Sequence, residues 1–170
     1  AGSAGDSNAI VVFGAGGGSA GDGGEVTVNN SGQITTEGVR SHAYADDALP
    51  IGGGQTISQP FVVATICSLL SLDGSERVLD VGTGSGYQAA VLAELAAQVV
   101  TIERIPKLAE TARTALARAG YESVEVRVGD GSLGVADRAP FDAVAVAAAA
   151  PNVPRPLYEQ LLEGGRVVVP

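Results

Sequence analysis

From Ala43 to Pro170 the chain alternates short apolar runs with longer segments whose apolar positions recur at helical spacing. ISQPFVVATICSLLSL (57–72) carries that spacing and stops at Asp73-Gly74-Ser75. RVLDVG (77–82) predicts a short apolar strand running into glycines, and GYQAAVLAELA (86–96) an Ala/Leu helix. QVVTIE (98–103) predicts the next buried strand. IPKLAETARTALARAG (105–120) predicts a helix with Pro106 in its first turn and Gly120 just past its end. VEVRVGD (124–130) and FDAVAVAAAA (141–150) predict two more strands, VPRPLYEQLLEG (153–164) a helix, and GRVVVP (165–170) a last strand. Strands alternating with helices imply βαβ units and a mostly parallel sheet covered on both faces, so the expected class is α/β with a doubly wound sheet.

Before residue 43 the pattern changes. FGAGGGSAGDGGEVTVNNSGQITTEGVRSH (13–42) is rich in Gly, Ser, Thr and Asn, with Arg40 as its one Lys or Arg. EVTV and QITT alternate weakly like short strands, joined by the turn-former NNSG. Residues 1–42 therefore read as a Gly-rich arm, disordered or loosely β, ahead of a domain over residues 43–170. The stretch 14–38 also resembles one repeat of the β-helical passenger regions of autotransporters; a single such repeat cannot bury its own face.

Composition narrows the chemistry. The net charge is −9 and the pI near 4.4, which disfavours sequence-independent binding to nucleic acid. The longest bland run, AVAVAAAAP, falls short of the ~18–20 apolar residues that span a bilayer, and no secretory signal pattern opens the chain. One cysteine, Cys67, excludes an internal disulfide and a thiolate cluster. One histidine, His42, and one lysine, Lys107, exclude a multi-histidine metal site. Whatever this chain does, it does with little acid–base equipment.

VLDVGTGSGYQAA places Gly82, Gly84 and Gly86 at a strand-to-helix turn, where small residues admit a close ligand and the following helix offers backbone N–H groups. Glu103 ends the next strand, where a carboxylate can accept both hydroxyls of a ribose. Dinucleotide enzymes favour G-x-G-x-x-G, but this loop reads G-x-G-x-G with Asp80 two residues ahead of the first glycine. A carboxylate beside a pyrophosphate is unfavourable, whereas a cationic, phosphate-free ligand tolerates it. S-adenosyl-L-methionine is such a ligand.

The pattern D-x-G-x-G-x-G with a strand-end Glu resembles the Rossmann-like class I methyltransferases. The wider combination AYADDALPIGGGQTISQPFVVA, VLDVGTGSGYQAAVLAEL, TIER, VRVGDG and APFDAVAVAAAAPNVPRPLYEQLLEGGRVVVP resembles the protein-L-isoaspartate O-methyltransferase family. The resemblance is nearly continuous from Ala43 to Pro170, with QTISQP its most specific segment. It implies methyl transfer from S-adenosyl-L-methionine to the α-carboxylate of L-isoaspartyl residues in damaged protein. It implies cofactor contacts from Asp80, Gly82, Thr83, Gly84, Ser85, Gly86, Glu103, Arg104, Asp130 and Gly131, with Asp130 placed for the adenine. Ser58 stands at the family's active-site position, and Thr56 is its neighbouring candidate; both also suit the cap of a helix starting near Gln59-Pro60. A cytoplasmic monomer acting on isoaspartyl peptides, with no membrane or nucleic-acid partner, is the expected setting. A class I methyltransferase with another carboxylate or small-molecule substrate, or a non-catalytic piece fused to a β-helical surface segment, are the alternatives. Three departures stand out. Ala147 replaces the family's usual threonine, the Gly-rich arm replaces an N-terminal helical segment, and the chain stops at the fifth strand, leaving GRVVVP as an uncovered edge.

Overall fold

A computed structural model describes residues 9–12, 50–52, 55–56, 59–147 and 152–170. Its core is five parallel strands: β4 (Arg77–Val81), β5 (Gln98–Glu103), β6 (Glu125–Val128), β7 (Phe141–Val146) and β8 (Leu161–Val169). They lie in the order β8-β7-β4-β5-β6, with β1 (Ala9–Val12) added beside β8. The order runs outward in both directions from β4 and β7, the doubly wound arrangement that opens a crevice at the carboxyl ends of those two strands.

Residues of each central strand alternate between two cores, as side chains of a pleated strand must. Val78, Ala143, Ala145 and Val168 face one side with Ile66, Leu70, Leu92 and Leu116. Leu79, Val144, Val146, Val167 and Val169 face the other with Phe141 and Leu157. The first side is covered by α1 (Pro60–Leu70), α2 (Tyr87–Ala93) and α3 (Pro106–Arg118). The second is covered by α4 (Arg155–Glu159) and the chain around Val135. A short antiparallel ribbon, β2 (Pro50–Gly52) with β3 (Gln55–Thr56), precedes α1.

Two features differ from expectation. The helix expected over 153–164 is only five residues long, and Leu161 to Gly164 belong to β8 instead. The β7–β8 register slips between Phe141↔Leu161 and Ala143↔Arg166, so the extra residues are absorbed as a bulge. Glycines allow it: Gly164 sits at φ +80°, and a Cβ on Gly165 would lie 2.9 Å from the Leu162 carbonyl oxygen. The second difference is at the edge expected to be bare. There Ala9–Val12 pair in parallel with Arg166–Val169, so the sheet has a sixth strand. The EVTV and QITT segments and the passenger-like stretch lie outside the described residues.

Candidate functional site

Four strand ends converge at one edge of the sheet: Val81 into Gly82, Glu103, Val128 into Asp130, and Val146 into Ala147. A parallel sheet brings them together automatically, because every strand finishes on the same side. Among the described residues a cavity of about 630 Å³ opens at the opposite, amino end, lined by Arg77, Gln98, Ser123, Glu125 and Arg138 among others. Its arginines are engaged locally: Arg77 Nε donates to Gln98 Oε1 and Arg138 Nε to Glu125 Oε2, at 2.9 and 2.8 Å. The convergent carboxyl end is the better candidate site.

The glycine loop adopts a conformation that other residues would resist. Gly82, Gly84 and Gly86 have φ of +99°, +54° and +89°. At Gly86 a Cβ would also come within 3.1 Å of Leu116 Cγ. The loop's own N–H groups are largely committed inside the protein. Those of Gly82 and Thr83 donate to the Ile102 carbonyl, that of Gly86 to the Thr83 carbonyl, and that of Gly84 to Glu103 Oε2. A pyrophosphate needs such donors, so this geometry weighs against a dinucleotide and favours a cofactor without phosphate.

Asp80 supports the loop from beneath. It is fully buried; its Oδ1 accepts from Gln88 Nε2 at 2.7 Å and its Oδ2 from Thr101 Oγ1 at 2.8 Å. Thr101 lies directly across from Asp80 in the β4–β5 register, and its hydroxyl meets that of Thr83 at 2.7 Å. Because Thr101 gives its proton to Asp80, Thr83 is the donor of that second bond. Burial pushes the Asp80 carboxyl up to about 6, against the pull of the Thr101 and Gln88 hydrogen bonds. Thr101 and Gln88 are absent from the sequence reading. The one signal for Thr101 was a hydroxyl inside an otherwise apolar strand, at the same depth as Asp80.

Glu103 is 7% exposed, and each oxygen accepts one backbone N–H: Oε2 from Gly84, Oε1 from Ile105, both at 3.0 Å. Each keeps acceptor capacity for a diol. Asp130 is exposed; its Oδ1 accepts from Ser132 N and Oγ at 2.9 and 2.7 Å. Those bonds hold its carboxyl below the usual range. Gly131 presses against β4, where a Cβ would lie 2.6 Å from Val81 Cγ1. Ser85 is half-buried, with its Oγ accepting from Tyr87 N, and Arg104 is exposed beside Glu103. Ala147 donates its N–H to the Val81 carbonyl at 2.8 Å, and its Cβ would sit 3.4 Å from one built on Gly82. The backbone of Thr56 is in β3, but its side chain and all of Ser58 lie outside the described residues. The residue capping α1 is Gln59, which makes no side-chain cap bond, with Pro60 following.

The family model for protein-L-isoaspartate(D-aspartate) O-methyltransferase (PCMT) matches residues 28–170. The chain belongs to that family. Among PCMT relatives, the protein-L-isoaspartate O-methyltransferase 1 of Syntrophobacter fumaroxidans is 55% identical over 134 residues, covering 79% of this chain and 63% of the relative. The Methanoculleus marisnigri protein-L-isoaspartate O-methyltransferase is 57% identical over 128 residues, covering 75% and 58%. A solved protein-L-isoaspartate O-methyltransferase structure superimposes with TM-score 0.71 at 37% identity, over 77% of this chain and 44% of its own. The chain therefore spans less than two thirds of the PCMT chains it matches. The family match begins at residue 28, within the Gly-rich arm.

Proposed function

We propose that this chain transfers a methyl group from S-adenosyl-L-methionine to the α-carboxylate of L-isoaspartyl residues, the first step of protein repair. The observation that carries the reading is the site at the strand ends. A glycine loop with its N–H groups internally satisfied lies beside two strand-end carboxylates, in a chain of the isoaspartyl methyltransferase family. These residues fit S-adenosyl-L-methionine by that same test, since it brings two ribose hydroxyls, an adenine and positive charge but no phosphate. Glu103 would hold the ribose diol, Asp130 the adenine, and the Gly82–Gly86 turn the chain bearing the sulfonium. When bound, the cofactor supplies an electrophilic methyl group.

What the protein must add is modest. A carboxylate with an ordinary pKa of ~3.5–4 is already ionised at neutral pH, so no general base is needed. The poverty of His and Lys is consistent with that chemistry. The protein aligns the carboxylate oxygen and excludes water. We assign the alignment to the GGGQTIS stretch (52–58), with Ser58 orienting the carboxylate and Thr56 beside it. The setting is a cytoplasmic monomer without membrane or nucleic-acid partner, in which residues 43–170 form the methyltransferase domain and 1–42 an arm that lends Ala9–Val12 to the edge of its sheet.

Two measurements on the whole chain test this. Calorimetry with S-adenosylhomocysteine is expected to show one site, and labelled S-adenosyl-L-methionine is expected to methylate an isoaspartyl peptide but not its aspartyl twin. Binding with equal labelling of both peptides, or of neither, overturns the substrate; absence of binding overturns the cofactor.

A further inference from the structure

Between β6 and the next strand the chain forms two short 3-10 turns, and the first, Gly131–Leu133, directly follows Asp130. None of its side chains is buried, and Leu133 is 62% exposed. The turn's own side chains therefore do not anchor it; Gly131 packs closely against Val81 at one end, and the chain re-enters the core at Val135, 5% exposed, just past the other. Its near end is tied by Asp130 to Ser132 and by Gly129 N to the Glu103 carbonyl at 3.0 Å. Its far end is held by the buried Val135 side chain and by one polar side chain from a distant part of the sequence.

That polar side chain is Gln160, the residue that ends α4, 8% exposed. Its Oε1 accepts from Val135 N at 2.8 Å and its Nε2 donates to the Leu133 carbonyl at 2.9 Å. One amide thus bridges residues 133 and 135 as a neighbouring strand would. The backbone between them has to be glycine: Gly134 has φ +64°, and a Cβ there would lie 2.3 Å from Gln160 Oε1. Gln160 is itself anchored, because its own carbonyl accepts from Phe141 N at 2.8 Å, at the start of a strand whose Phe141 is fully buried.

We propose that Gln160 is a positioning residue: by bridging Leu133 and Val135 it holds the Asp130 turn against the sheet so that Asp130 meets the 6-amino edge of the adenine. The proposal rests on the assignment of Asp130 to the adenine above. It makes Gln160 a determinant of base discrimination without touching the ligand. A carboxylate is an acceptor, so it favours a base with a 6-amino donor over one with a 6-oxo group, provided it is held in reach. Loosening the turn spreads Asp130 over several positions and averages that preference away.

The test compares S-adenosylhomocysteine with S-inosylhomocysteine by calorimetry on the full chain. The proteins are the wild type, Asp130→Ala, Gln160→Met and Gly134→Ala, with melting temperatures recorded in parallel. Methionine keeps the length of glutamine without its hydrogen bonds; alanine at Gly134 displaces the amide and serves if Gln160→Met does not fold. The wild type is expected to prefer the adenosyl ligand by roughly tenfold or more, about the worth of one good hydrogen bond. Asp130→Ala is expected to abolish the preference, and the Gln160 or Gly134 variant to cut it to about threefold or less while binding the inosyl ligand about as well as the wild type does. Equal weakening of both ligands in that variant, with the preference intact, means a purely structural role and overturns the proposal. A preference unchanged in Asp130→Ala instead removes the adenine assignment beneath it, and the proposal falls with it.

Discussion

Asp80 is the residue whose environment most outweighs its reference chemistry. Its carboxyl rises from 3.8 to about 6 because burial penalises the charge more than Thr101 and Gln88 compensate. The folded state therefore holds a proton between about pH 4 and 6 that the unfolded chain releases. That contribution is fully present below pH 3.8 and lost as pH rises through 6. Two pH units correspond to roughly 3 kcal/mol. Asp80→Asn, which has nothing to ionise, is expected to gain stability relative to wild type as pH goes from 4 to 7. Urea unfolding of both proteins across that range checks it, and parallel curves refute it. At Ser58 the expectation is catalytic: Ser58→Ala lowers turnover of an isoaspartyl peptide by tenfold or more, about one charge-assisted hydrogen bond, and leaves the affinity for S-adenosylhomocysteine unchanged. Equal loss of both would remove Ser58 from the substrate side.

At the scale of elements, the strands and long helices were legible because each is a local pattern. Five buried apolar runs became β4 to β8, and the 105–120 segment became α3, with Gly120 at φ +89° just past its end. The α4–β8 junction was not legible. LLEG has no residue that forbids a helix before Gly164, and what draws it into the sheet is pairing with β7 through a bulge. The site divided the same way. The glycine turn and Glu103 follow from short motifs, whereas Gln88, Thr101 and Gln160 act through partners 8 to 27 positions away. A lone Gln in LYEQLL looks like any solvated helix face until the Asp130 turn is folded against it. Pairing of β1 with β8 was equally invisible, since AIVV carries no sign of its partner. It has a consequence: deleting residues 1–13 uncovers the β8 edge formed by Arg166–Val169. The shortened chain is expected to associate at concentrations where the full chain does not, while binding S-adenosylhomocysteine equally well. Light scattering with parallel calorimetry decides, and unchanged scattering would mean that the edge needs no cover.

The whole molecule carries a net charge of −9, and its proposed substrate brings a further negative charge to the reacting centre. Locally the conflict is met by the positive cofactor, but the long-range field is not: it repels any acidic peptide during approach and attracts a basic one. This field acts over about a Debye length, ~30 Å at 0.01 M salt and ~3 Å at 1 M. Two isoaspartyl peptides differing only in flanking residues, lysine in one and glutamate in the other, therefore separate the field from the contacts. At ~10 mM salt the lysine peptide is expected to have the lower KM by about tenfold, with kcat the same for both, because the reacting groups are identical. Raising the salt to ~0.5 M should close most of that gap, by raising KM for the basic peptide and lowering it for the acidic one. A gap that persists at high salt would place the preference in direct contacts near the GGGQTIS stretch, and would rule out the net charge as its source.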